Sequence, residues 1–253
     1  MKIIIITQNE PFYLSQNLKY LFGVLPKDVK VVGCVVNSVS PFGEKESFFR
    51  KSIKTLNIFG SVFFMYYFMK FVFSKLFKPP LKKLLKDNRI PEIHLEGNIN
   101  SQTNLAIIRS YSPDLLVSIL GNQIFKKPLI DLAPQGCINL HTALLPKYRG
   151  LMPTFWVLKN NETHTGVSVF FVDEGIDSGP IIVQQKVEIG NRTQAGLIKH
   201  TKKIGMELIA EAITTIKKGN LELIPNPNSQ MSYYSFPTRK DVQEFKRAGK
   251  KFF

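Results

Sequence analysis

Asn139 and His141 stand two residues apart at the end of an apolar run, and Asp177 follows within Gly175-Ile176-Asp177-Ser178-Gly179. These three residue types suit chemistry at a carbonyl. An amide can donate a hydrogen bond to a developing oxyanion. An imidazole, with a reference pKa of ~6.5, changes state near neutral pH, and a carboxylate can orient the ring or take up a proton. Carried on strand ends or loops, such groups can converge on one reacting carbon. Taken singly, each has a plainer use: His141 as a hydrogen-bonded strand-end histidine, Asn139 as a turn closer, Asp177 as an ordinary turn residue.

Bringing them together requires strands that end close to one another. Residues 2–7 read as a buried parallel strand, about 14–25 as a helix and 29–37 as a second strand, which makes a βαβ unit. The turn between the first strand and the helix, Thr7 to Leu14, holds no glycine. A G-x-G-x-x-G fingerprint is therefore absent, and with it the case for a nicotinamide enzyme. After residue 88 the pattern resumes with a short strand at 91–95, a helix at 103–111 and a strand at 114–120. A short helix at 124–132 leads to the strand 136–141 that presents Asn139 and His141. A helix at 153–160 precedes an alternating strand at 166–172 and a partner at 181–187. Apolar residues at helical spacing mark 193–218 as a helix, followed by a strand at 221–225 and a basic tail rich in Pro and Asn. The expected class is α/β, a mostly parallel sheet flanked by helices.

The chain of 253 residues can bury one sizeable core, with or without a small appendage. Its two cysteines, Cys34 and Cys137, lie far apart and make neither a metal-ligand pair nor a disulfide framework, so a reducing, cytoplasmic setting is expected. The apolar stretch in MKIIIIT is too short for a signal peptide. The net charge of +15 suits a phosphorylated small molecule, nucleic acid or an anionic membrane surface, or else serves solubility. It is concentrated: between Glu46 and Asp87 there are nine Lys and Arg residues and no acidic one. Residues 44–90 read as an insertion. Within it, 57–78 is aromatic and apolar with interrupting lysines, too short to span a bilayer. A helix packed on the core, a homodimer interface and a peripheral membrane contact remain open for this segment.

With Leu144-Leu145-Pro146, Tyr148-Arg149-Gly150 and Gly175-x-Asp177-x-Gly179 at matching spacing, the stretch 138–182 resembles the folate-dependent formyltransferases. These include glycinamide-ribonucleotide, methionyl-tRNA and sugar-amine enzymes. The resemblance implies a Rossmann-like formyltransferase core over 1–190, with a C-terminal helix, short strand and basic tail over 191–253. It implies formyl transfer from 10-formyltetrahydrofolate to a primary amine without a metal. Asn139 and His141 would stabilise the oxyanion, and Asp177 would orient the ring and move protons. It also implies that the pterin is held mainly by main-chain groups of two loops, here Leu120, Gly121, Asn122 and Ile124, and Val172, Asp173 and Gly175.

Departures from each branch guide the choice of acceptor. Gln8-Asn9-Glu10-Pro11 stands where ribonucleotide enzymes carry a Gly/Ser/Asn phosphate loop, and Phe170 where they carry a histidine. The methionyl-tRNA enzymes add an OB-like domain, for which the about 60 residues after the core leave no room. A nucleotide-linked amino sugar is the expected acceptor, with a nucleic acid less favoured. The alternatives are a methionyl-tRNA enzyme lacking the usual last domain, a formyltetrahydrofolate deformylase without its N-terminal regulatory domain, and a non-catalytic binding or membrane-surface module.

Overall fold

The strand Lys2–Gln8 (β1) buries isoleucines on both of its faces, as a central parallel strand must. Ile3 and Ile5 enter one core layer, Ile4 and Ile6 the other, following the two-residue period of a strand. In this computed structural model, residues 1–37, 47–77, 80–121, 123–219 and 221–253 are described. β1 pairs in parallel with Lys30–Asn37 (β2) on one side and Leu115–Ser118 (β4) on the other. β2 pairs in parallel with Glu92–Ile93 (β3), and β4 with Cys137–His141 (β5). His164–Phe171 (β7) adds antiparallel to β5, and Ile181–Glu188 (β8) antiparallel to β7. The sheet order is β3-β2-β1-β4-β5-β7-β8. The chain runs outward from β1 to β3 and then returns to β4, so the direction of winding reverses between β1 and β4. Ligands of open α/β sheets bind beyond the carboxyl ends of strands at such a point.

One face of the sheet is covered by Leu14–Val24 (α1) and Gln194–Lys218 (α8), with Leu81–Asp87 (α4) beside them. The opposite face is covered by Gln102–Ser110 (α5) and Lys127–Ile130 (α6). α8 comes close enough to β5 that a Cβ at Gly205 would press on the Leu140 side chain at 2.7 Å. Leu140 therefore points toward α8, and its strand neighbours Asn139 and His141 point the other way.

Residues 44–46 and 78–79 of the expected insertion, with 38–43 before it, lie outside the described residues. The rest folds as Phe48–Phe59 (α2), Ser61–Phe77 (α3) and α4. Gly60, at φ +88°, separates α2 from α3, so the apolar stretch is two helices. No helix among the described residues is long and apolar enough to cross a membrane. Only one side of α3 packs on the body. Phe63 lies against Phe59 and Phe252, Tyr67 against Phe12, and Lys70 donates to the Tyr13 hydroxyl at 2.7 Å.

The C-terminal segment departs from expectation. The strand expected at 221–225 is reduced to one bridge, Ile224 with Ile181. Pro225 and Pro227 cannot donate to a ladder and flank the residue that turns away. The expected tail is folded: Tyr233–Tyr234 (β9) pairs with Arg149–Gly150 (β6), and Arg239–Arg247 (α9) follows. α9 and Phe252 join Phe59, Pro153–Lys159 (α7) and Tyr148 in a separate hydrophobic cluster.

Candidate functional site

His141 closes β5 at the carboxyl edge of the sheet, buried at 6% exposure. Both ring nitrogens face acceptors. Nε2 lies 2.7 Å from the Tyr148 carbonyl, and Nδ1 lies 3.5 Å from Asp177 Oδ2. Because a carbonyl can only accept, the short contact places a proton on Nε2 and leaves Nδ1 as the nitrogen facing the carboxylate. Asp177 Oδ2 also accepts the Gly150 N–H at 2.8 Å. Asp177 holds φ +50° and Tyr148 φ +61°, a region that costs residues with a Cβ of the order of 1–3 kcal/mol and persists only where the surroundings impose it.

Those surroundings come from three elements. Gly150 sits at φ +94°, where an added Cβ would run into the Tyr234 carbonyl, so β9 can close on this strand only over a glycine. Tyr148 is gripped at every end: its N–H donates to Ser232 Oγ, its ring stacks on Tyr234, and its hydroxyl donates to Glu162 at 2.6 Å. Burial, then the Glu162 bond, pushes the phenol pKa up. Asn226 spans the two sides, its amide donating to the Asp177 and Gly179 carbonyls at 2.9 Å.

Arg149 is the buried cation of the site. Its guanidinium donates to Asn228 Oδ1, to the Asn226 carbonyl and side chain, and to Met231 Sδ. Burial lowers its pKa, while the nearby charges of Asp173 and Asp177 work against that. Asn139 lies on the His141 face one strand-repeat earlier, and its buried Oδ1 has no hydrogen-bond partner.

The two loops expected to hold the pterin flank this edge. Leu120, at φ +62°, and Gly121 follow β4, Ile124 is exposed, and Asn122 lies outside the described residues. The loop is tied to 98–100 through Gln123 Oε1, which accepts the Ile99 N–H, and through Asn100, which donates to the Ile124 carbonyl. On the other side Val172 donates its N–H to Cys137, and Asp173 accepts from the Gly175 N–H and the Ser178 hydroxyl, which shapes the 173–178 turn. Main-chain groups and apolar side chains (Ile124, Ile176) are thus presented around the strand end. No group of three or more His, Cys, Asp or Glu able to hold a metal occurs among the described residues.

The structure brings His141 and Asp177 into contact and sets Asn139 beside them on β5. Sequence reasoning missed the supports: the Tyr148 carbonyl, the Gly150 N–H, Asn226 and Ser232. Arg149 in Tyr148-Arg149-Gly150 and the paired Asn226 and Asn228 were visible, but nothing in the sequence joined them. At the start of α1, the N–H groups of Phe12, Tyr13 and Leu14 all donate to the Glu10 carboxylate at 2.8, 2.9 and 3.1 Å, with Lys202 Nζ at 3.7 Å. The chain thus fills its own anion seat after β1.

A family model described as formyl transferase matches residues 74–213, more than half of the chain. Among curated relatives, the methionyl-tRNA formyltransferase of Kosmotoga olearia is 33% identical over 170 residues, covering 67% of this chain and 54% of the relative. That of Trichlorobacter lovleyi is 35% identical over 161 residues, covering 63% and 51%. The chain spans about half the length of the curated relatives it matches. Among solved structures, the N-formyltransferase of Helicobacter canadensis, in complex with folinic acid and dTDP-3-aminofucose, superposes with a TM-score of 0.60 at 20% identity. It covers 98% of this chain and 80% of that one. Phosphoribosylglycinamide formyltransferase of Bacillus halodurans superposes with a TM-score of 0.58 at 18% identity over 87% and 96%.

Proposed function

The chain belongs to the formyl transferase family, and from that membership we propose that it moves a formyl group from 10-formyltetrahydrofolate to a primary amine at the Asn139–His141–Asp177 edge. The observation that carries the reading is the His141–Asp177 contact at the carboxyl edge of the sheet, with Asn139 on the same face of β5. The neutral amine attacks the formyl carbon and the carbonyl oxygen becomes an oxyanion, toward which Asn139 donates. With Nε2 committed to the Tyr148 carbonyl, His141 works through Nδ1. The proton lost by the amine passes to the Asp177 and Nδ1 pair. It is delivered to the folate nitrogen as the carbon–nitrogen bond to folate breaks, so the products are a formamide and tetrahydrofolate.

The acceptor we infer is a nucleotide-linked amino sugar. Glu10 occupies the amides at the start of α1, which are therefore not open to a ribonucleotide phosphate. The net charge of +15 suits a diphosphate. A structural neighbour that covers 98% of this chain was solved with dTDP-3-aminofucose. Methionyl-tRNA is the second reading, favoured by the 33–35% identity of the relatives.

The test is tetrahydrofolate release from 10-formyltetrahydrofolate with amino-sugar nucleotides, glycinamide ribonucleotide, methionyl-tRNA or buffer alone. Release only with an amino-sugar nucleotide supports the reading. Release with methionyl-tRNA alone replaces the acceptor, and release in buffer alone replaces transfer with hydrolysis.

A further inference from the structure

The outward side of α3 is apolar where a surface helix is ordinarily polar. Val62, Met65, Met69, Phe73, Leu76 and Phe77 recur at helical spacing, and each is 56–71% exposed. On α2, Phe49, Ile53 and Leu56 repeat at i, i+4 and i+7 and are also exposed. Isolated apolar residues on a surface are normal, but a continuous stripe of this length marks an interaction surface. The inward side of α3 is already satisfied through Phe63, Tyr67 and Lys70, so the stripe is not a core face awaiting the body of the protein.

The charge around the stripe selects its partner. Residues 47–86 contain nine Lys and Arg residues and no Asp or Glu. Lys70 turns inward and Lys83 pairs with Asp87, while Arg50, Lys54, Lys75, Lys82 and Lys86 are exposed on α2, α3 and α4. A second copy meeting this face about a two-fold axis would set basic rim against basic rim, which is unfavourable. An anionic bilayer complements the same rim and accepts the Phe, Met and Leu side chains among its acyl chains, while Lys and Arg remain with the headgroups. α3 also grips Phe12 and Tyr13, in the loop that leaves β1 at the carboxyl edge of the sheet. We propose that the α2–α3 face docks peripherally on an anionic membrane surface, with the helix lying in the interface and not across it.

Flotation of the full chain with vesicles tests this, comparing phosphatidylcholine containing phosphatidylglycerol with phosphatidylcholine alone. Binding is expected to the anionic vesicles, weakening with added salt as headgroup attraction is screened. Met69→Glu with Phe73→Glu should weaken it by about tenfold or more. Both side chains face outward, so the melting temperature should hold. If the pair unfolds the chain, the wild-type comparison between the two vesicle compositions decides instead. Failure of the wild type to bind anionic vesicles overturns the proposal, as does equal binding by a folded Glu variant. A wild-type dimer that the Glu pair splits, with no vesicle binding, would also overturn it and assign the face to a second copy.

Discussion

At the scale of single residues, the candidate site separates support from chemistry, and substitutions can tell the two apart. Asp177→Asn keeps an oxygen for the Gly150 N–H but removes the charge facing His141 Nδ1. It is expected to lower kcat by about 100-fold or more with little change in Tm. Asp177→Ala should lower Tm as well, because the Gly150 N–H loses its acceptor. Asn139→Ala should lower kcat on the order of 100- to 1000-fold, the usual loss for one oxyanion donor. The double variant Asn139→Ala/Asp177→Asn should fall well short of the product of the single losses, since groups acting on one transition state are not additive. Steady-state tetrahydrofolate release and thermal melts check all four. Asn139, His141 and Asp177 were legible because type and spacing survive in a linear reading. The Tyr148 carbonyl and Gly150 N–H were not, because any residue carries those groups and only φ near +60° or +90° aims them here.

Among the elements, the parallel strands were the most legible and the C-terminal segment the least. A strand buried on both faces needs an unbroken apolar run, and Ile3 to Ile6 supply one. The 221–225 stretch offers similar residues but meets Pro225, so only Ile224 bridges the sheet. The contact of β9 with β6 rests on two residues each and on Arg149, a signature too short for pattern reading. Replacing Arg149 with Met should strand the Asn226 and Asn228 acceptors and cost about 2–4 kcal/mol, read by urea unfolding and by faster proteolysis within 226–232. α9 opens with a capping box in which Thr238 and Asp241 serve each other. Burial alone would raise the Asp241 carboxyl pKa, but the Thr238 hydroxyl and N–H and the Lys159 ammonium outweigh it and hold it below the ordinary value. A depressed folded pKa stabilises fully above the ordinary value and is lost as pH falls through the folded one. Asp241→Asn should therefore lower Tm by about 2–4 °C at neutral pH, with the gap to wild type closing below about pH 4.

Over the whole molecule, two core layers on opposite faces of one sheet each sequester one thiol, Cys34 in the first and Cys137 in the second. Burial, with Glu92 adding to it, pushes the Cys34 thiol up to about 12, and burial raises the Cys137 thiol as well. Neither should react with a thiol reagent in the native protein, and both should react after denaturation. A fast native reaction of either would mean that its layer opens far below global unfolding. The α/β architecture was readable at this scale because alternating strand and helix patterns leave few ways to cover a parallel sheet. The exposure of α3 was not, because a helix apolar all round says only that it will seek apolar company. The contacts of residues 226–234 with the Asp177 turn and residues 148–150 also have a consequence in time. A chain is synthesised from its amino end at ~5–20 residues per second, so Asn139, His141 and Asp177 all leave the ribosome before Asn226, Ser232 and Tyr234 exist. A nascent chain paused between them would hold every group proposed for the reaction and none of the clasp that aims it, so competence would wait for residues 226–234 to be made.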